Sequence, residues 1–217
     1  MTVWVVIVAA GRATRFGGLK QFERLGDRTV VGWSVQAARP VADGVVLVVP
    51  PGGVPEVDGD HPSPVDAVVE GAATRSGSVR AGLAAVPDGA DVVVVHDAAR
   101  PLAAVEHFEA VVAAVQAGAD GAVCAVPMSD TVKRVAGGVV VETLDRTALW
   151  AAQTPQAFRG EVLRRAHDAA GEATDDAALV EAAGGRVVVV PGSPRNIKLT
   201  SRSDLVVAEA LLATLPK

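Results

Sequence analysis

Val3–Gln21, VWVVIVAAGRATRFGGLKQ, is the stretch on which the fold turns. Val3–Ala9 is an unbroken apolar run rich in β-branched side chains, with no alternation. That pattern belongs to a strand covered on both faces, as in a parallel sheet. The run passes directly into a loop of small residues, Ala9-Ala10-Gly11. Such a loop after the first strand of an α/β sheet is a place for phosphate, because small side chains let backbone N–H groups approach an anion. The two common phosphate fingerprints fail on the letters. A dinucleotide motif needs Gly at its first, third and sixth places, and counting from Gly11 these are Gly11, Ala13 and Phe16. A P-loop needs Gly-Lys-Ser/Thr, where this chain has Phe16-Gly17-Gly18. The loop carries two cations instead, Arg15 and Lys20. Cations beside a polyphosphate offset the negative charge that develops when a phosphorus is attacked.

Outward from that stretch, similar apolar runs recur at Gly44–Val49, Asp91–His96, Gly121–Val126 and Arg186–Val190. Between them lie segments with helical spacing: Val30–Ala38, Ser76–Ala85, Val105–Ala117, Glu161–Ala170, Asp175–Ala183 and Ser203–Leu212. Strands alternating with helices predict an α/β fold, Rossmann-like, with a mostly parallel sheet and helices on both faces. One stretch breaks the rhythm. Thr131–Val135 and Val139–Thr143 read as two short strands around the turn Gly137-Gly138, a β-hairpin inserted as an arm at about residues 128–150. Pro50–Pro64 reads as a surface loop. With 217 residues and no composition break, the chain is expected to be a single domain, residues 1–217.

Lys and Arg number 20 against 25 Asp and Glu, a net charge of −5, which argues against a general nucleic-acid binder. There are 4 Phe, 3 Trp and no Tyr, so the core must be built from Val, Ala and Leu, and a stacking surface for single strands would want more rings. The one cysteine, Cys124, sits in an apolar run and reads as a small buried hydrophobe. No apolar stretch approaches the roughly 20 residues that span a bilayer, and no basic segment precedes the N-terminal run. A cytoplasmic protein without nucleic-acid or membrane partners is expected.

Asp97, in His96-Asp97-Ala98-Ala99-Arg100-Pro101, falls at the carboxyl end of a buried strand, the edge where open α/β sheets bind ligands. A carboxylate there suits Mg²⁺, which takes oxygen and few protein ligands. Arg100 can hold a phosphate by a two-pronged fork. The bland alternative is a helix-capping Asp with a surface Arg. Gly71–Ser78 precedes a helix and suits either a cap or a ligand edge, and Thr174-Asp175-Asp176 reads as a cap. Lys198, between Ile197 and Leu199, can be aimed at an anion. His96 receives no role.

Together, AAGRATRFGGLKQF, GAATRSGSV, VHDAARP, PMSDTVKR, LDRTALWAAQTPQAF, TDDAALVEAAG and NIKLT resemble the 2-C-methyl-D-erythritol 4-phosphate cytidylyltransferases of the non-mevalonate isoprenoid pathway. The blocks run in the family's order from Val3 to about Leu212, and imply a fold of the nucleotide-diphospho-sugar transferase type. The implied reaction joins CTP and methylerythritol phosphate, giving the cytidine diphospho-sugar alcohol and pyrophosphate, with Mg²⁺. By the same resemblance, Arg15, Lys20 and Lys198 stabilise the transition state. Ala9, Ala10, Gly11, Ala72, Ala73, Ser78 and Asp97 bind the nucleotide. Asp97, Arg100, Thr131, Arg146 and Thr174 surround the acceptor, and Asp97 stands at the metal, directly or through water. The family's arm reaches across a homodimer, so Thr131 and Arg146 are expected to serve the partner's site. The chain departs from the family at Gly71-Ala72-Ala73, where a second Gly is common. The rival readings are a relative with another acceptor such as ribitol phosphate, a non-catalytic nucleotide-binding module, and a dehydrogenase, which the failed Gly fingerprint disfavours.

Overall fold

The computed structural model describes residues 1–11, 18–53, 65–169 and 171–214. Arg12–Gly17, with the expected site residue Arg15, and most of the Pro50–Pro64 loop lie outside the described residues. In chain order the elements are β1 (Val3–Val8), β2 (Arg24–Leu25), β3 (Arg28–Thr29), α1 (Val30–Ala38), β4 (Gly44–Val49), β5 (Ala67–Glu70), α2 (Arg75–Ala84), β6 (Val92–Asp97), α3 (Val105–Gln116), β7 (Gly121–Pro127), β8 (Lys133–Ala136), β9 (Val139–Thr143), β10 (Trp150–Arg159), α4 (Gly160–Ala169), α5 (Asp176–Ala182), β11 (Val187–Pro191) and α6 (Arg202–Leu212).

Seven strands form one sheet in the order β11-β7-β10-β6-β1-β4-β5. β6 lies at its centre, and β1 beside it runs parallel to both β4 and β6. β10 alone runs antiparallel, wedged between β6 and β7. The unalternating run Val3–Val8 is explained by cover on both faces, since successive side chains of a strand point opposite ways. Val3, Val5 and Ile7 pack with Val31 and Val35 of α1 and Phe108, Val111 and Val115 of α3. Val6 points the other way, into a second core with Val79 and Leu83 of α2, Leu163 of α4 and Val180 of α5. Helices therefore cover both faces of a mostly parallel sheet, as the sequence predicts. A smaller cluster of Leu25, Val30, Leu199 and Ala208 seats α6 against the start of α1.

The short pair β2 and β3 escapes the sequence reading, as do two strands of the seven-stranded sheet, β5 and β10. β10 contains Pro155, which cannot donate to a ladder and argues against a central strand. The pairing with β7 slips between Ala152 and Gln156, so the proline sits in an irregularity where that donor is not needed. The hairpin forms as expected, β8 against β9. Its turn residues Gly137 and Gly138 have φ of 55° and 80°, the left-handed conformation that a two-residue hairpin turn requires. Every residue of β8 and β9 is exposed, including Val135, Val139 and Val141.

Candidate active site

β1 and β6 pair so that Val8 stands opposite Asp97. The loops that follow them therefore open side by side at the carboxyl edge of the sheet. A cavity of about 440 Å³ lies there, lined by Ala9, Ala10 and Gly11 after β1, by Lys20, by Ala72, Ala73 and Ser78 before and within α2, and by Asp97 and Lys198. A second cavity of about 200 Å³ adjoins it, lined by Arg100, Gln153, Thr154, Thr174 and Asp175 among others. Arg75, Asp97 and Lys198 line both and stand where the two meet.

The Asp97 carboxylate is held from two sides. Arg75 Nε donates to Oδ1 at 3.1 Å, and Lys198 Nζ donates to Oδ2 at 2.7 Å. Burial pushes the Asp97 carboxyl up, but Arg75 and Lys198 outweigh it and hold the group well below the usual carboxylate range. Arg75 in turn stands 2.9 Å, through Nη2, from Oδ2 of the wholly buried Asp176. The other Asp176 oxygen lies 3.0 Å from Nε2 of buried His167. Burial opposes the charge on Arg75, yet Asp97 and Asp176 overcome this and raise it above an ordinary guanidinium.

The main chain at Asp97 is also tied. Its N–H donates to Thr154 Oγ1 at 3.0 Å, and the same hydroxyl lies 3.1 Å from His96 Nδ1. Burial pulls His96 down to about 3, so its ring is neutral at pH 7 and packs 5.0 Å from the ring of Phe108. His96 lines neither cavity. No helix begins at Asp97; α3 starts at Val105, with Ala104 as its N-cap, so Asp97 is not a helix cap. Cys124 is buried, and burial pushes its thiol up to about 12, in keeping with a packing role.

Short-range contacts shape the walls. Gln21 Nε2 donates to the carbonyls of Ala9 at 2.6 Å and Gly11 at 3.1 Å, pinning the first loop. Lys20 Nζ donates to the Leu199 carbonyl, joining that loop to the segment carrying Lys198. Ser78 Oγ accepts the Ala72 N–H at 3.1 Å and donates to the Thr74 carbonyl at 2.8 Å. Gly71 passes so close to Ala10 that a Cβ on it would collide with Ala10 Cβ and lie 2.8 Å from Ser78 Oγ. On the far wall, buried Asn196 donates to the Thr154 carbonyl at 2.9 Å, and Arg100 Nη1 donates to the Asn196 carbonyl at 2.8 Å.

The expected site residues thus fall into three places. Lys20, Ala9, Ala10, Gly11, Ala72, Ala73, Ser78, Asp97 and Lys198 surround the larger cavity, while Arg100 and Thr174 line the smaller. Thr131 and Arg146 lie on the exposed hairpin stretch and line neither; Arg146 Nη1 donates to the Ser129 carbonyl within the same stretch. Among the described residues no cluster of three or more His, Cys, Asp or Glu is arranged to hold a metal. Among the described residues, Asp97 is the one carboxylate lining the larger cavity. Each of its oxygens takes one donor and keeps lone-pair capacity, a donor set that fits Mg²⁺ drawing its remaining ligands from phosphate and water.

The profile of the family described as "IspD: 2-C-methyl-D-erythritol 4-phosphate cytidylyltransferase" matches residues 3–214. The chain belongs to this family. It is 41% identical to the 2-C-methyl-D-erythritol 4-phosphate cytidylyltransferase of Syntrophotalea carbinolica, over 99% of this chain and 97% of that protein. It is 49% identical to a bifunctional IspD/IspF enzyme of Anaeromyxobacter dehalogenans, over 95% of this chain but only 56% of the relative's length. The crystal structure of the family's Thermus thermophilus member superposes with a TM-score of 0.83 at 37% identity, covering 99% of this chain and all (100%) of that one.

Within this cytidylyltransferase framework, the sequence reading gave no role to Arg75, Asp176, Gln153 or Thr154. A signal for Arg75 existed. A cation in the first turn of a helix opposes the helix dipole and needs an acidic partner, and Arg75 opens α2. Asp176 was read with Asp175 as a cap, but Asp175 alone caps α5, accepting from the Ala178 N–H at 3.0 Å.

Proposed function

We propose that the larger cavity receives CTP, that the smaller receives methylerythritol phosphate, and that Asp97 and Lys198 act where the two meet. As a member of its family the chain is a cytidylyltransferase, moving the cytidylyl group of CTP to 2-C-methyl-D-erythritol 4-phosphate in isoprenoid precursor synthesis. An oxygen of the acceptor phosphate attacks the α-phosphorus of CTP, a new P–O bond forms, and the bond to the β-phosphate oxygen breaks to release pyrophosphate. A phosphate monoester is already a competent nucleophile, so the protein needs no general base; its work is positioning and charge neutralisation.

Lys20 and Lys198, with Arg15, offset the charge that builds on the transferred and leaving phosphates. Ala9, Ala10 and Gly11 border the triphosphate, with the N–H groups of Ala10 and Gly11 turned to it while that of Ala9 donates to the Val48 carbonyl, and Ala72, Ala73 and Ser78 border the base. Arg100 and Thr174 hold the acceptor. Asp97 would hold Mg²⁺, which would supply further neutralisation of the developing charge. The observation that carries this reading is the sharing of Arg75, Asp97 and Lys198 by two adjoining cavities, which suits transfer between two ligands.

The exposed hairpin is read as a homodimer arm that carries Thr131 and Arg146 to the partner's acceptor site. Its support is the exposure of Val135, Val139, Val140 and Val141, apolar side chains without cover in the monomer. Among the described residues no helix is long and apolar enough to cross a membrane, and a cytoplasmic setting suits a chain with one buried free thiol.

The test is pyrophosphate release with Mg²⁺, offering CTP, UTP, ATP and GTP against methylerythritol phosphate. Release with CTP alone supports the reading and shows that Ala72 and Ala73 tolerate cytosine selection. Release with another nucleotide overturns the base assignment, and faster turnover of ribitol phosphate overturns the acceptor.

A further inference from the structure

Asp97 and Lys198 are each assigned contacts with ligands, but Arg75 is placed differently. Its guanidinium bridges two carboxylates, Asp97 on the cavity side and Asp176 behind, and Asp176 is in turn held by His167. The outer side chains are partly exposed, 43% at Lys198, 11% at Asp97 and 22% at Arg75, and the inner two are closed off, 1% at Asp176 and at His167. A buried ion pair pays a desolvation cost that its attraction often fails to recover, so an apolar set of the same volume would be about as stable. What the charged set supplies is fixed geometry. The planar fork of Arg75 cannot swing as a lysine does, and its two anchors set the direction from which it meets Asp97.

The charges lead to the same point. Arg75 and Lys198 balance Asp97 and Asp176. Without Arg75, Asp176 would be buried without its cation, and Lys198 would be drawn wholly onto Asp97. We propose that Arg75 is a positioning residue which, braced by Asp176 and His167, fixes the Asp97 carboxylate and leaves the Lys198 ammonium available to phosphate. This rests on the reading of Asp97 and Lys198 given above.

The experiment measures kcat and both KM values by pyrophosphate release for Arg75→Met, Arg75→Lys and Asp176→Asn, each alone and combined with Asp97→Asn, with melting curves to check folding. Arg75→Met is expected to lower kcat about 10–100-fold, the usual cost of losing the group that orients a functional side chain, while the KM for CTP moves less than about threefold. Arg75→Lys restores the charge without the fork and recovers only part of kcat. In the Asp97→Asn background Arg75→Met costs less than about twofold more, because there is no carboxylate left to orient. Full kcat in Arg75→Met, or effects of Arg75→Met and Asp97→Asn that multiply, overturns the proposal while the role of Asp97 stands. Full kcat in Asp97→Asn overturns both. If Arg75→Met does not fold, Asp176→Asn decides: a loss of kcat that vanishes in the Asp97→Asn background supports the proposal, and no loss overturns it.

Discussion

Replacing Thr154 by Val exchanges a hydroxyl for a methyl of nearly the same size at a position only 4% exposed. No cavity opens, so the loss is polar. The hydroxyl accepts the Asp97 N–H and pairs with His96 Nδ1. His96 Nε2 is already buried without a hydrogen-bond partner, so the imidazole would lose its remaining contact of this kind. Stranding a buried polar group costs about 1–3 kcal/mol, and two are stranded here, or roughly 2–4 kcal/mol after some relaxation. That is a large share of the about 5–15 kcal/mol that holds a typical protein folded. At about 2–4 °C per kcal/mol for a chain of this size, the melting temperature should fall by roughly 5–15 °C. Thermal denaturation at pH 7.5 measures it, with Thr154→Ser as the control that keeps the hydroxyl. A Val variant melting within about 2 °C of the parent, or Ser and Val falling equally, would show that the hydroxyl bridge does not hold the end of β6.

His96 also sets a pH dependence. Its folded pKa of about 3 lies below the ordinary 6.5, so the unfolded chain binds the proton more readily. Stability is then complete above about pH 6.5 and falls as pH drops toward 3, by about 3 kcal/mol between pH 6.5 and pH 4; urea titrations should show a shallower slope in His96→Gln. Below the ordinary Asp range the depressed Asp97 adds to the same loss, because protonating it breaks its pairs with Arg75 and Lys198. Lys20→Ala should lower kcat by about 100-fold or more, as lost transition-state electrostatics does, and an unchanged kcat would remove Lys20 from the reacting phosphorus. Arg146→Ala should raise the KM for methylerythritol phosphate far more than that for CTP; equal rises would take it out of the acceptor site. Val139→Glu with Val141→Glu should shift the sedimentation coefficient toward the monomer, and an unchanged dimer would acquit the hairpin.

The parallel core was legible because physics writes it plainly. β1, β4, β6 and β7 are apolar on both faces, so their runs stand out without alternation. β5 was lost because it is short, lies at the sheet edge and is only half buried. β10 was lost because its middle, Gln153-Thr154-Pro155-Gln156, looks like a loop. Those polar side chains are buried only because they satisfy one another and their neighbours: Gln153 pairs with Ser193, Thr154 with Asp97, and Gln156 with Asp175 and Ala177. No local pattern announces partners so distant in sequence. Among site residues, those in loops of small residues or at strand ends were readable from type and position. Arg75 and Asp176 were not, because their meaning lies in facing each other across about a hundred residues of chain.

The single reversed strand has a consequence for how such a protein can change. β10 begins in the exposed hairpin stretch at Trp150, lines the smaller cavity at its middle and reaches the core at Phe158. Everything between β7 and α4, arm and inner wall alike, is thus one uninterrupted cassette of chain, anchored by β6 on one side and β7 on the other. The loops that border the larger cavity come from other parts of the chain, apart from their shared boundary at Arg75, Asp97 and Lys198. A lineage could trade this cassette for another and reshape one wall of the smaller cavity together with the exposed arm, while Arg100, Thr174 and the larger cavity's loops stayed as they were.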